Sequence, residues 1–172
     1  QATAHAMRRT ARTMTHAQRV KLLAELSTFL HEPRVREHPI VRPVATRMLG
    51  HLAIPEAAVL LSALCARVEE RHVRLEALVG LRACLPAHHD ARAAYDAVIT
   101  AMLDHSDELA SAAVGTAMGL AGDESHAEAL VHVLIRGRRE ARVYAADALG
   151  RIPSDAALSA LLHLDYYYCC CC

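Results

Sequence analysis

Twelve histidines and six cysteines are the side chains through which this chain could do metal, proton or thiol chemistry. A zinc site needs three or four converging ligands, and structural sites separate them by short spacers. His88-His89-Asp90 is the densest cluster. Two adjacent histidines point in different directions, so the triplet does not converge, and Asp90 suits the N-cap of a following helix. Cys169 to Cys172 are contiguous. Ligands on adjacent residues splay apart, and the usual two-residue spacer is missing. Cys65 and Cys84 occupy helix positions that want an apolar residue, where a thiol acts as a small buried hydrophobe in a reducing compartment. No glycine-rich phosphate loop and no Ser–His–Asp or Cys–His constellation can be placed. The expectation is therefore no catalytic residue, no metal ligand and no cofactor.

Charge narrows the partners. Lys plus Arg number 19, Asp plus Glu 19, and Lys21 is the lone lysine. A net charge of zero argues against nucleic acid or an anionic membrane surface, which reward a basic excess. No apolar run reaches the roughly 18 residues of a membrane span, so no membrane insertion is expected. The first 24 residues carry five basic residues and no acid. That composition resembles an organelle transit peptide, but the favoured reading is an ordinary first helix with Met7, Ala11 and Met14 on one face. Localisation is expected to be intracellular and reducing, cytoplasmic by default, with organelle import left open by the Arg-rich start.

The elements that must carry any site repeat four times. Val41-Arg42…Ala45…Met48-Leu49-Gly50…Leu52 returns as Val73-Arg74…Ala77…Leu81. It returns again as Ala110…Val114…Ala117-Met118-Gly119…Ala121, and as Ala141-Arg142…Ala145-Ala146…Ala148-Leu149-Gly150…Ile152. The starts at 41, 73, 110 and 141 give a period of about 30 residues, which marks stacked-repeat architecture. Apolar residues at positions 1, 5, 8, 9 and 12 of each copy make a helical stripe, the A helix. Gly50, Gly119 and Gly150 at position 10 suit a helix end, and Arg82 replaces the glycine in the second copy. A second helix, B, follows: Leu60–Leu64, Ala97–Ala101, Ala129–Val133 and Ala160–Leu164 match one another in register. Ala17–Leu30 reads as the B helix of a degenerate leading repeat, and His31-Glu32-Pro33 breaks the chain after it.

The segments VRPVATRMLGHL, VRLEALVGLRAC and ARVYAADALGRIPSDAALSALLHL resemble HEAT repeats of the short, phycobilisome-lyase-like kind. The resemblance covers roughly residues 41–165. It implies an all-α, right-handed α-solenoid (an armadillo/HEAT-type superhelix) of about five helical hairpins, with B helices lining a concave face that holds partner proteins. Enzymes of HEAT type need features that are missing here. The iron-dependent hydroxylase of the class repeats a His-Glu pair, whereas His31-Glu32 stands alone. HEAT-like DNA glycosylases need aromatic residues and a basic groove.

The domain reading is 1–40, a degenerate helical pair with linker; 41–165, four repeats; and 166–172, an anomalous, non-native or unassigned tail. Function reads as a non-enzymatic protein–protein interaction or scaffolding module, a fragment or subunit of a larger assembly. The alternative is a HEAT-type enzyme, or a lyase- or chaperone-like protein handling a cofactor or bilin. Partners are expected on the outward positions of the B helices: Arg67, then Asp96, Thr100 and Asp104, then Glu128, His132 and Arg136, then Ser159 and His163. Val59 and Ala63 share the first of these rows. Leu49, Leu61, Leu81, Val98, Met118, Leu130, Leu149 and Leu161 are expected to be buried between layers.

Overall fold

A computed structural model describes residues 9–11, 13–66, 69–84, 92–118, 124–155, 157–159 and 161–162. These residues form helices and turns, with no strand among them. In chain order the α-helices are α1 (His16–His31), α2 (Pro33–Arg36), α3 (Val41–Leu49), α4 (Pro55–Leu64), α5 (Arg71–Cys84), α6 (Arg92–Met102), α7 (Asp107–Ala117), α8 (Ala127–Arg136) and α9 (Arg139–Arg151). Short 3-10 turns at Gly50–Leu52 and Glu124–His126 extend α3 and lead into α8. Residues 155, 157–159 and 161–162 are again helical and are called the closing segment.

Local chemistry explains the boundaries. Thr15 and Gln18 form a reciprocal capping box at the start of α1, which satisfies two orphan N–H groups at once. Ser106 caps α7, accepting from the Leu109 N–H. Pro55 opens α4 at a position where its missing N–H costs nothing. Ala53 ends the 3-10 turn in the left-handed region, φ 50°. The chain does not simply break after α1: Pro33–Arg36 forms one helical turn and buries Val35. Helix α4 ends at Leu64, and the next carbonyl, that of Cys65, accepts from Arg74 Nε at 3.2 Å.

Two sets of helices pack in sequence. Helix α3 lies against α5, α5 against α7, and α7 against α9; in the other set, α1 lies against α4, α4 against α6, and α6 against α8. Each B helix also packs closely on the A helix that follows it: α4 on α5, α6 on α7, α8 on α9. The core runs between the sets as one continuous cluster from Leu23 to Ala157.

Six of the eight expected core residues, Leu49, Leu61, Leu81, Val98, Leu130 and Leu149, are fully or almost fully buried. Leu161 is half-buried. Met118 is the correction: it is 76% exposed, and Ala117 is buried in its place. Helix α7 buries Leu109, Ala113 and Ala117, the i, i+4, i+8 face that Ala141, Ala145 and Leu149 form on α9. The third copy therefore starts at Leu109, and a one-residue slip turns a helix by about 100°, which carries Met118 to the surface.

Glycine also serves a purpose other than the expected one. Gly50 has ordinary right-handed helical angles, so no left-handed end requires it. A Cβ on Gly50 would lie 2.2 Å from the Gly80 carbonyl oxygen. The backbones of α3 and α5 meet at this pair of glycines. Gly119 lies outside the described residues.

Candidate partner-binding face

On each B helix the residues one turn apart that point away from the A helices form the outer face. Asp96 and Thr100 are exposed on α6, and the Thr100 hydroxyl donates to the Asp96 carbonyl at 2.9 Å. Glu128, His132 and Arg136 are exposed along α8, and Ser159 on the closing segment. Val59 and Ala63 are exposed on α4, and Ile135 joins them on α8. Arg67 and His163 lie outside the described residues, as do His88-His89-Asp90 and residues 166–172.

Asp104 does not belong to this face. It is mostly buried, and its Oδ2 accepts from Arg74 Nη2 at 2.7 Å while its Oδ1 accepts from the Ser106 N–H at 2.9 Å. The carboxylate therefore ties α5 to the turn that caps α7. Arg42 pairs likewise with Glu69 at 2.7 Å. In both cases the arginine at position 2 of an A helix reaches an acid in the turn beyond the next B helix. Both guanidinium groups are nearly buried, so the pairs must be matched to be tolerated. The sequence signal was the repeated Val-Arg, which reads as a packing motif until its acidic partners are seen.

Behind Asp96 lies a polar core that sequence patterning did not find. His126 is buried, and its Nε2 lies 3.6 Å from Asp96 Oδ1. Its ring meets Tyr95 edge-on at 4.5 Å between centroids. The Tyr95 and Tyr144 hydroxyls share a hydrogen bond of 2.9 Å, and the Tyr144 hydroxyl donates to the Ala117 carbonyl at 3.2 Å. Burial raises the Tyr144 phenol above its ordinary value. Tyr144 also lines a groove of about 740 Å³ between α7 and α9, with Val114, Met118 and Val143 as its apolar wall. A second, charged hollow of about 520 Å³ surrounds the Arg42–Glu69 pair.

Cys65 and Cys84 are free and buried. Burial pushes the Cys65 thiol up to about 12 against a partial offset from Arg74. It pushes Cys84 to about 11, although the Cys84 thiol donates to the Ile54 carbonyl. Among the described residues no three His, Cys, Asp or Glu side chains converge as a metal site. No helix among them is long and apolar enough to cross a membrane. No protein-family model matches this chain, and no curated protein matches it.

Proposed function

We propose that the chain is a stack of HEAT-type helical hairpins, a right-handed α-solenoid, that acts as a non-enzymatic scaffold within a larger protein assembly. Its partner lies across the outer face of the B helices. One observation carries the reading: the helices pack in order, and the set from α4 to the closing segment exposes a row of polar side chains, Asp96, Thr100, Glu128, His132, Arg136 and Ser159. The row opens acidic at Asp96 and Glu128 and closes basic at Arg136. Exposed Val59 on α4 and Ile135 on α8 supply apolar contact area. A mixed surface of this kind suits a folded protein partner better than an apolar helix, which needs a continuous greasy groove.

The test begins with a photo-crosslinker at position 100 in the full chain, exposed to extract of the source organism, with the captured protein identified by mass spectrometry. Asp96→Arg combined with Glu128→Arg should then weaken binding of that purified protein roughly tenfold or more, with a larger loss at low salt, because exposed charges are screened within about 10 Å at 0.1 M salt. Unaltered binding in the double variant would overturn the B-face assignment.

A further inference from the structure

The second copy shows how the arginine at position 2 of an A helix is satisfied. Arg74 Nη2 donates to Asp104 at 2.7 Å, and Arg74 Nε donates to the Cys65 carbonyl at 3.2 Å. Arg42 holds the same position one repeat earlier and is only half matched. Its Nη2 meets Glu69 at 2.7 Å. Its Nε is shut away from solvent and finds no acceptor among the described residues. The residue as a whole is 8% exposed. The cause lies in α2. Pro33 stands in register with Cys65, and the Pro33 carbonyl is taken by the Glu37 N–H at 3.4 Å. The extra helical turn thus consumes the acceptor that the arginine lacks. A buried donor left in this state calls for a partner. Beside it lies the hollow of about 520 Å³ that Arg42, Pro33 and Glu69 help to line. Arg36, Glu37 and Glu70 complete its charged wall, and all three are exposed and in no ion pair among the described residues.

Small-molecule sites run from roughly 300 to 1,000 Å³, and the charged lining here selects a polar occupant. We propose that this hollow binds a basic α-amino acid, for which free arginine is the model. The α-carboxylate accepts from Arg42 and Arg36, taking on Arg42 the place that the Cys65 carbonyl takes on Arg74. Charge-assisted bonds of this kind are the strong ones. A small outward shift of α2, a single turn of helix, uncovers the Nε. The α-ammonium and the cationic side chain face Glu37 and Glu70. One carboxylate against two guanidinium groups, and two cations against two carboxylates, is the charge pattern of such a ligand. The hollow shares no residue with the B-helix face, and the inference stands whether or not that face binds a partner.

The test is calorimetric titration of the full chain with L-arginine at low salt. Saturable binding of one arginine per chain is expected. Agmatine keeps the guanidinium and lacks the carboxylate; citrulline keeps the carboxylate and lacks the cationic side chain. Each should bind roughly tenfold or more weakly. Glu37→Gln with Glu70→Gln should weaken arginine binding by a similar factor. The same variant should leave the far-UV circular dichroism and the melting temperature of the ligand-free protein unchanged, since both glutamates are exposed. Arg36→Gln should weaken arginine and leave agmatine unaffected. Absence of saturable binding at millimolar arginine would leave water as the only partner for Arg42 Nε and overturns the proposal. Agmatine or citrulline binding as tightly as arginine overturns the ligand class. Arginine binding that the glutamate variant does not alter overturns the placement.

Discussion

Cys65 and Cys84 show how a residue can be read from its position rather than its chemistry. Cys84 falls on the apolar stripe of α5 and Cys65 caps the end of α4, and each is buried and free. Desolvation holds both thiols protonated, at about 12 and about 11, where the ordinary value is 9.0. Peptide-resolved alkylation with iodoacetamide at about pH 8 should therefore leave both unlabelled in the native protein and label both in urea. The pH dependence follows in sign. Because the folded-state values are raised, the unfolded chain loses these protons first, so stability is flat through neutral pH and falls as pH climbs from about 9 toward 12. Urea midpoints at about pH 8 and about pH 10.5 would check this, and Cys65→Ala with Cys84→Ala should flatten the slope. The charged and polar residues were less legible. Asp104 shares the helical spacing of Asp96 and Thr100, and nothing in that spacing reveals that Arg74 claims it. His126 and Tyr95 were invisible for the same reason: a buried polar contact depends on two helices meeting, which a period along one chain does not encode.

At the scale of elements, the period alone placed every A helix within about three residues of where it starts, because an apolar stripe must face the next layer. It failed by one residue in the third copy. There Ala110 and Ala113 are interchangeable in composition, and only the burial of Leu109 and Ala117 fixes the register. Glycine at position 10 was legible as a repeated residue but not as a contact. Gly50 and Gly150 now separate cleanly. Gly50→Ala must push α3 from α5 and should cost about 3 kcal/mol, in the range of overpacked cores. Gly150→Ala meets no described atom within 4 Å and should stabilise α9 by roughly 0.5–1 kcal/mol through helix propensity. Thermal melts of the two variants, measured side by side, check both signs.

For the whole molecule, the packing is local: each helix has its main contacts with its neighbours in sequence and with the next member of its own set. Damage should then spread only a short way, as it does in stacked arrays. In Gly50→Ala, hydrogen exchange should speed up in α3, α4 and α5 and stay near the wild-type rate in α8 and α9. Uniform acceleration along the chain would show a single cooperative unit instead. The Tyr95–Tyr144 bond offers a way to watch the interior of the helix packing without any label. The chain has no tryptophan and one phenylalanine, and its only tyrosines before residue 166 are these two. They join α6 to α9 through one hydrogen bond in the interior. Near-ultraviolet circular dichroism from the repeats is thus the signal of a single junction. It reports whether the second B helix and the fourth A helix are still seated together, and it would fade when that junction opens even while the backbone stays helical.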